Sequence, residues 1–103
     1  MAMKKGLKAR WVAALRSGKY KQGYGELKHE NKQDNLEFCC LGVLREISPA
    51  VAVRNGDNSG SLEPETLKYT GISPEQQTQL IEMNDEVAGY GFKRIATYIE
   101  KNL

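Results

Sequence analysis

Cysteine and histidine are the residues with which a small chain most readily does covalent or metal chemistry, and here there are two cysteines and one histidine. Cys39 and Cys40 are adjacent, within the most apolar run of the sequence, Phe38-Cys39-Cys40-Leu41-Gly42-Val43-Leu44. A zinc site needs about four ligands at spacings that let them converge. Neighbouring residues point to opposite faces of a strand and lie about 100° apart on a helix, so adjacent thiols chelate poorly. A nucleophilic thiolate needs a base that lowers its pKa. His29 sits between Lys28 and Glu30 in a polar stretch that reads as a solvated turn. A disulfide between neighbours is strained, and a cytosolic compartment opposes it. Both cysteines therefore read as small buried hydrophobes, where free cysteine usually sits. Glu63/Glu65 and Asp85/Glu86 imitate catalytic carboxylate pairs, but charged turns account for them. The sequence assigns no catalytic residue, no metal ligand and no cofactor.

Binding chemistry is better represented. Residues 1–22 carry Lys4, Lys5, Lys8, Arg10, Arg16, Lys19 and Lys21 and no acid, while the remainder carries eight basic and thirteen acidic residues. Such an asymmetry predicts a positive face that attracts an anion. The alternative is that this segment packs against the acidic part of its own chain, or of a second copy in a homodimer. The run Ser17-Gly18-Lys19-Tyr20-Lys21-Gln22-Gly23-Tyr24-Gly25 lacks the context of a phosphate-binding loop. It does offer cations, flexible amides and two rings on which a base could stack. The candidate ligand-binding set is Arg10, Arg16, Lys19, Tyr20, Lys21, Gln22 and Tyr24, for an anionic ligand such as nucleic acid or a nucleotide. The alternative for the tyrosines is an extended segment covering the edge of the core. Asn84 and Asp85 join the set as polar contacts to a ligand or partner, with an Asx turn as the structural alternative.

Several elements must position these residues. A chain of 103 residues, 40% hydrophobic and 27% charged, suits one ordinary globular domain. No apolar run approaches the roughly 18 residues of a membrane span, and the N-terminus lacks the apolar region of a signal peptide. Both point to a cytosolic protein with no membrane partner. Leu7, Trp11, Val12 and Leu15 recur at helical spacing and predict an amphipathic helix over 4–17 with a basic outer face, stopped by Gly18. Residues 36–39 predict a short strand paired with 24–28 and running into a helix at 40–47, with Gly42 permitting close packing. A longer helix capped by Asp34 and Glu37 competes with that strand. Residues 50–62 read as strand, glycine-rich turn and strand. A brief helix opens at Glu63-Pro64-Glu65 and stops near Gly71. Ser73, Pro74 and Gln76 form a capping box for a helix with Leu80 and Met83 inward. Asn84-Asp85 then begins a loop through Gly91. The last helix, 92–102, buries Phe92, Ile95, Ala96 and Ile99. The predicted class is α+β, a single small domain of four or five helices packed on a small antiparallel sheet.

The order of motifs resembles a known family. Trp11-Val12-x-Ala14-Leu15-Arg16-Ser17-Gly18-x-Tyr20-x-Gln22-x-x-Gly25-x-Leu27 is followed by Phe38 to Leu44, by Met83-Asn84-Asp85, and by Phe92-x-x-Ile95-Ala96-x-Tyr98-Ile99-Glu100-x-x-Leu103. This is similar to a family of small, mostly uncharacterised proteins of tailed bacteriophages and prophages. The resemblance covers nearly the whole chain, with 48–72 the most variable part. It implies a phage source and the host cytoplasm, and it carries over no functional residue. The expectation is a non-enzymatic accessory protein for host takeover or anti-defence, contacting an anionic partner through the basic helix and loop. The alternative is an inhibitor that docks on a host protein through its acidic half, Glu63 to Glu86. A cysteine-dependent enzyme is the third reading.

Overall fold

Helix α1 (Lys5–Arg16) forms where the apolar spacing places it, and it buries Leu7, Trp11, Val12 and Leu15. It stops at Ser17, whose hydroxyl and backbone N–H both turn back to the Ala14 carbonyl, and Gly18 takes the left-handed φ of +78° that lets the chain reverse. These coordinates are a computed structural model, and the structure describes residues 3–24, 26–30, 32–33, 35–48, 62, 64–85 and 90–103. The strands expected within 50–62 and most of the loop after Asp85 lie outside the described residues.

Three short strands follow: β1 (Lys21–Gln22), β2 (Lys28–Glu30) and β3 (Leu36–Phe38). Their order is β1-β3-β2. β2 and β3 form the expected antiparallel hairpin, with Lys28 opposite Phe38 and Glu30 opposite Leu36, so the paired strand is 28–30 and overlaps the expected 24–28 at Lys28. β1 runs parallel to β3, with Lys21 opposite Glu37, and the Gly23 N–H extends that ladder to the Phe38 carbonyl at 2.7 Å. The sheet is therefore mixed. The connection from α1 through Gly18 delivers β1 alongside β3 in the same direction, which alternation of side chains along a strand does not encode.

β3 passes directly into α2 (Cys40–Ile47), at the boundary the sequence predicts. Cys39 has extended backbone and acts as the N-cap, its Sγ accepting from the Gly42 N–H at 3.4 Å. The Cys40 N–H is satisfied from outside the helix, by Asn84 Oδ1 at 3.2 Å. A helix can thus begin on two cysteines because its first donors are met elsewhere. Glu37 lies in β3, so the longer helix capped by Asp34 and Glu37 does not form. Gly42 faces the backbone of Leu27. A Cβ at that position would collide with the Leu27 carbonyl oxygen and stand 2.6 Å from its carbon.

Helices α3 (Pro64–Thr70), α4 (Pro74–Asp85) and α5 (Phe92–Asn102) complete the fold. Gly71 ends α3 with φ of +84°. The α4 capping box is reciprocal: the Ser73 N–H donates to Gln76 Oε1 at 2.9 Å, and the Gln76 N–H donates to Ser73 Oγ at 3.1 Å. α5 buries Phe92, Ile95, Ala96 and Ile99, which form one stripe and pack mainly on α1. At the centre Trp11 is fully buried, and its indole N–H donates to the Cys40 carbonyl at 2.9 Å. Among the described residues five helices around a small sheet make the class α+β. Among the described residues no helix is long and apolar enough to cross a membrane.

Candidate functional site

The structure divides the candidate residues into two groups. Gln22, Asn84 and Asp85 meet in one network where β1, α2 and α4 join. Asn84 is 2% exposed and uses its whole amide. Its Oδ1 accepts from Gln22 Nε2 at 3.0 Å and from the Cys40 N–H at 3.2 Å. Its Nδ2 donates to the Gly23 carbonyl at 2.9 Å and to Asp85 Oδ1 at 2.7 Å. Two acceptor sites and two donors are all that an asparagine side chain has. Gln22 Nε2 also reaches the Tyr90 carbonyl at 3.1 Å. Asn84 and Asp85 are the last residues of α4 and not the start of a loop.

The remaining candidates are spread over α1 and the segment after it. Arg10 donates to the Ile47 carbonyl at 2.8 Å, where it satisfies an acceptor at the end of α2. Arg16 places its guanidinium on Glu100, 3.2 Å to each carboxylate oxygen, and on Thr97 Oγ1 at 3.3 Å. That guanidinium holds the Glu100 carboxyl below its usual pKa. Lys19 stands over the Tyr20 ring at 5.8 Å, and Tyr20 meets Phe38 edge-on at 5.3 Å. Tyr20 is packed on the core, as the structural alternative has it. Lys21 is 3.7 Å from Glu37 Oε2. Tyr24 alone of the two loop tyrosines is open, at 61% exposure.

His29 is not in a turn. It belongs to β2, where strand register puts Lys21, Glu37 and His29 in one row across the sheet. Its Nε2 lies 2.9 Å from Glu37 Oε1. Its Nδ1 is buried with no hydrogen-bond partner, and it faces Gly23, where a Cβ would come within 3.3 Å of it. A histidine–carboxylate pair of this kind resembles catalytic machinery, but the nitrogen that would take a proton from substrate is closed off by backbone.

Both thiols are buried. Burial pushes the Cys39 pKa above its ordinary 9.0, and Asp85 adds to the rise. Burial pushes Cys40 well above that value, and neighbouring Cys39 adds to it. These are the opposite of the shifts a nucleophile needs. The folded state therefore keeps both thiols protonated where the unfolded chain ionises them, so their contribution to stability is full below about pH 9 and falls as pH rises beyond it. We expect the unfolding midpoint in urea to decline between pH 8.5 and 10 in the native chain and to decline less in Cys40→Ala. A thiol reagent at pH 8 should label neither cysteine until the chain is unfolded; stoichiometric labelling of the native protein would contradict the burial. Among the described residues no cluster of three or more histidine, cysteine or carboxylate side chains is placed to hold a metal ion.

One feature of α1 escapes a residue-by-residue reading of the sequence. Lys5, Lys8, Ala9, Val12, Ala13 and Arg16 share a second stripe of the helix and, with Glu100 of α5, line an open groove of about 560 Å³. Its signal is the spacing 5, 8, 9, 12, 13, 16, but the groove exists only because α5 supplies the other wall. Among the described residues Lys5 and Lys8 take part in no ion pair.

A family model described as a domain of unknown function (DUF8296) matches residues 3–58, which is more than half of the chain and runs from the start of α1 past the end of α2. No curated protein and no solved structure matches the chain.

Proposed function

The chain belongs to the DUF8296 family, and from its geometry we propose that it is a non-enzymatic binding protein that holds an anionic partner against the cationic face of α1. The observation that carries this is the helix itself: Lys5, Lys8, Arg10 and Arg16 on twelve residues without an acid, beside an open groove. The buried thiols and the closed-off His29 argue against covalent or acid–base chemistry. Lys19 and Tyr24 remain exposed beyond the end of the helix, where they offer a further cation and an open ring. The resemblance of its motifs to those of small tailed-phage proteins supports an infected bacterial cell as the setting. There the partner is nucleic acid, a nucleotide-type ligand or an acidic host protein, and the role is that of a phage accessory factor.

Charge reversal tests the proposal directly. Lys5→Glu/Lys8→Glu should weaken binding of a fluorescent single-stranded oligonucleotide and of an acidic peptide by about tenfold or more, and binding by the native chain should fall steeply with salt. The melting temperature should hardly move, because Lys5 is exposed, Lys8 is half-buried, and substitutions of surface charges change stability by no more than about 0.5 kcal/mol. Unchanged affinity for both probes would remove the assignment.

A further inference from the structure

The groove has a composition that narrows the class of partner. Its floor is hydrocarbon, from Ala9, Val12 and Ala13, and its cations are Lys5, Lys8 and Arg16. Arg16 is already committed to Glu100, so the cations outside an ion pair are Lys5 and Lys8, along the first half of α1. A phosphate held by Lys5 and Lys8 would leave the hydrocarbon floor uncovered, and no aromatic ring lines the groove to stack a base. A second copy of this chain offers its acidic helix α4, but the exposed positions there are Pro74, Glu75, Thr78, Gln79 and Glu82, and Ile81 is packed on the core, so no row of aliphatic side chains is free to set on the floor. What complements both features is a segment that is apolar on one side and acidic on the other.

We propose that the α1–α5 groove receives an acidic amphipathic helix from a partner protein, with aliphatic side chains on Ala9, Val12 and Ala13 and carboxylates on Lys5 and Lys8. The inference rests on the cationic reading of α1 and refines it from any anion to one class. From Lys5 to Arg16 the helix rises about 16 Å, which matches about three turns of a partner lying along it. This is helix-in-groove recognition, in which residues spaced three and four apart anchor the ligand and charge fixes its register.

Three probes separate this inference from the broader reading. The first is a peptide of about 14 residues, long enough for nearly four helical turns, with leucine on one face and glutamate on the other. The second is a scramble of the same composition whose leucines share no face. The third is a single-stranded oligonucleotide of about twelve nucleotides. We expect the amphipathic peptide to perturb amide resonances of α1 and of the Thr97–Glu100 region, and to bind about tenfold more tightly than the scramble. Ala13→Gln fills the floor without changing charge at an exposed position, and it should cost the amphipathic peptide about tenfold while leaving the melting temperature and the scramble unaffected. If scramble and peptide bind alike, or Ala13→Gln changes nothing, the groove inference is overturned while the cationic reading stands. Tighter binding of the oligonucleotide than of the peptide overturns it in favour of nucleic acid. If none of the three binds, both readings fall together.

Discussion

Gly42→Ala lowers the melting temperature by about 10–20 °C. The added methyl group would be driven into the Leu27 peptide unit, and its nearest neighbours are all backbone atoms of that residue. Side chains can rotate away from a new carbon, but a peptide unit can retreat only if the chain moves. Here the chain is held on both sides, because the Leu27 carbonyl accepts from the Cys39 N–H at 3.3 Å. Overpacking of a closed site costs about 1–3 kcal/mol, and each kcal/mol is worth about 4–8 °C in a domain of this size. Gly6→Ala is the internal control. Gly6 also lies in a helix, but a Cβ there meets nothing within 4 Å, so the better helix propensity of alanine should raise stability by up to about 0.5 kcal/mol. Circular dichroism melts of the two variants decide the matter. A Gly42→Ala protein that melts with the parent would mean that α2 does not rest on Leu27 as described.

Asn84→Ala carries the second large effect, about 3–5 kcal/mol, because it strips the buried Cys40 N–H and Gly23 carbonyl of their bond to the side chain and takes one bond each from the half-buried Gln22 and Asp85. The loss is felt in three elements: at the Cys40 N–H that starts α2, at the Gly23 carbonyl beyond β1, and at Gln22. Asn84→Asp is a sharper probe. It keeps the shape and the acceptor, but it turns an oxygen toward the Gly23 carbonyl and the Asp85 carboxylate, where the amide donated. It should destabilise at least as much as alanine at neutral pH and recover in part in acid, as the new carboxyl takes up a proton. Urea titrations of both variants at pH 5 and pH 7.5 test this. If either variant kept its unfolding midpoint and lost affinity for an anionic probe, Asn84 would be a ligand contact after all.

Much of this fold is readable from the chain because local signals agree with the tertiary answer. Phe92, Ile95, Ala96 and Ile99 are spaced for one face, and that face is buried. Ser73 and Gln76 are the residues a capping box requires, and they bond reciprocally. Gly42, in the run that carries strand into helix, signals the close approach that α2 makes to Leu27. The site is harder. Gln77, Leu80 and Asn84 fall on one inward stripe of α4, so spacing alone places the asparagine inside. Its polar type argues for the surface, and only the partners arriving from β1 and α2 explain its burial. His29 misleads in the same way, since its flanking charges suggest solvent while the strand register supplies Glu37. Arg10 and Arg16 are visible as cations, but the Ile47 carbonyl and Glu100 that engage them lie far along the chain. Long-range pairing is the information that a window of neighbouring residues lacks.

Among the described strands β3 is the last in sequence and the middle one in space. Both edge strands pair with β3, so lifting Leu36–Phe38 strips both at once, and the amide of Gly23, bonded to Phe38, and that of Cys39, bonded to Leu27, are exposed by the same opening. The two-residue β1 can also peel away by itself, which frees the Gly23 amide while the β2–β3 hairpin stays closed. In hydrogen-exchange terms the Gly23 amide should therefore exchange at least as fast as that of Cys39.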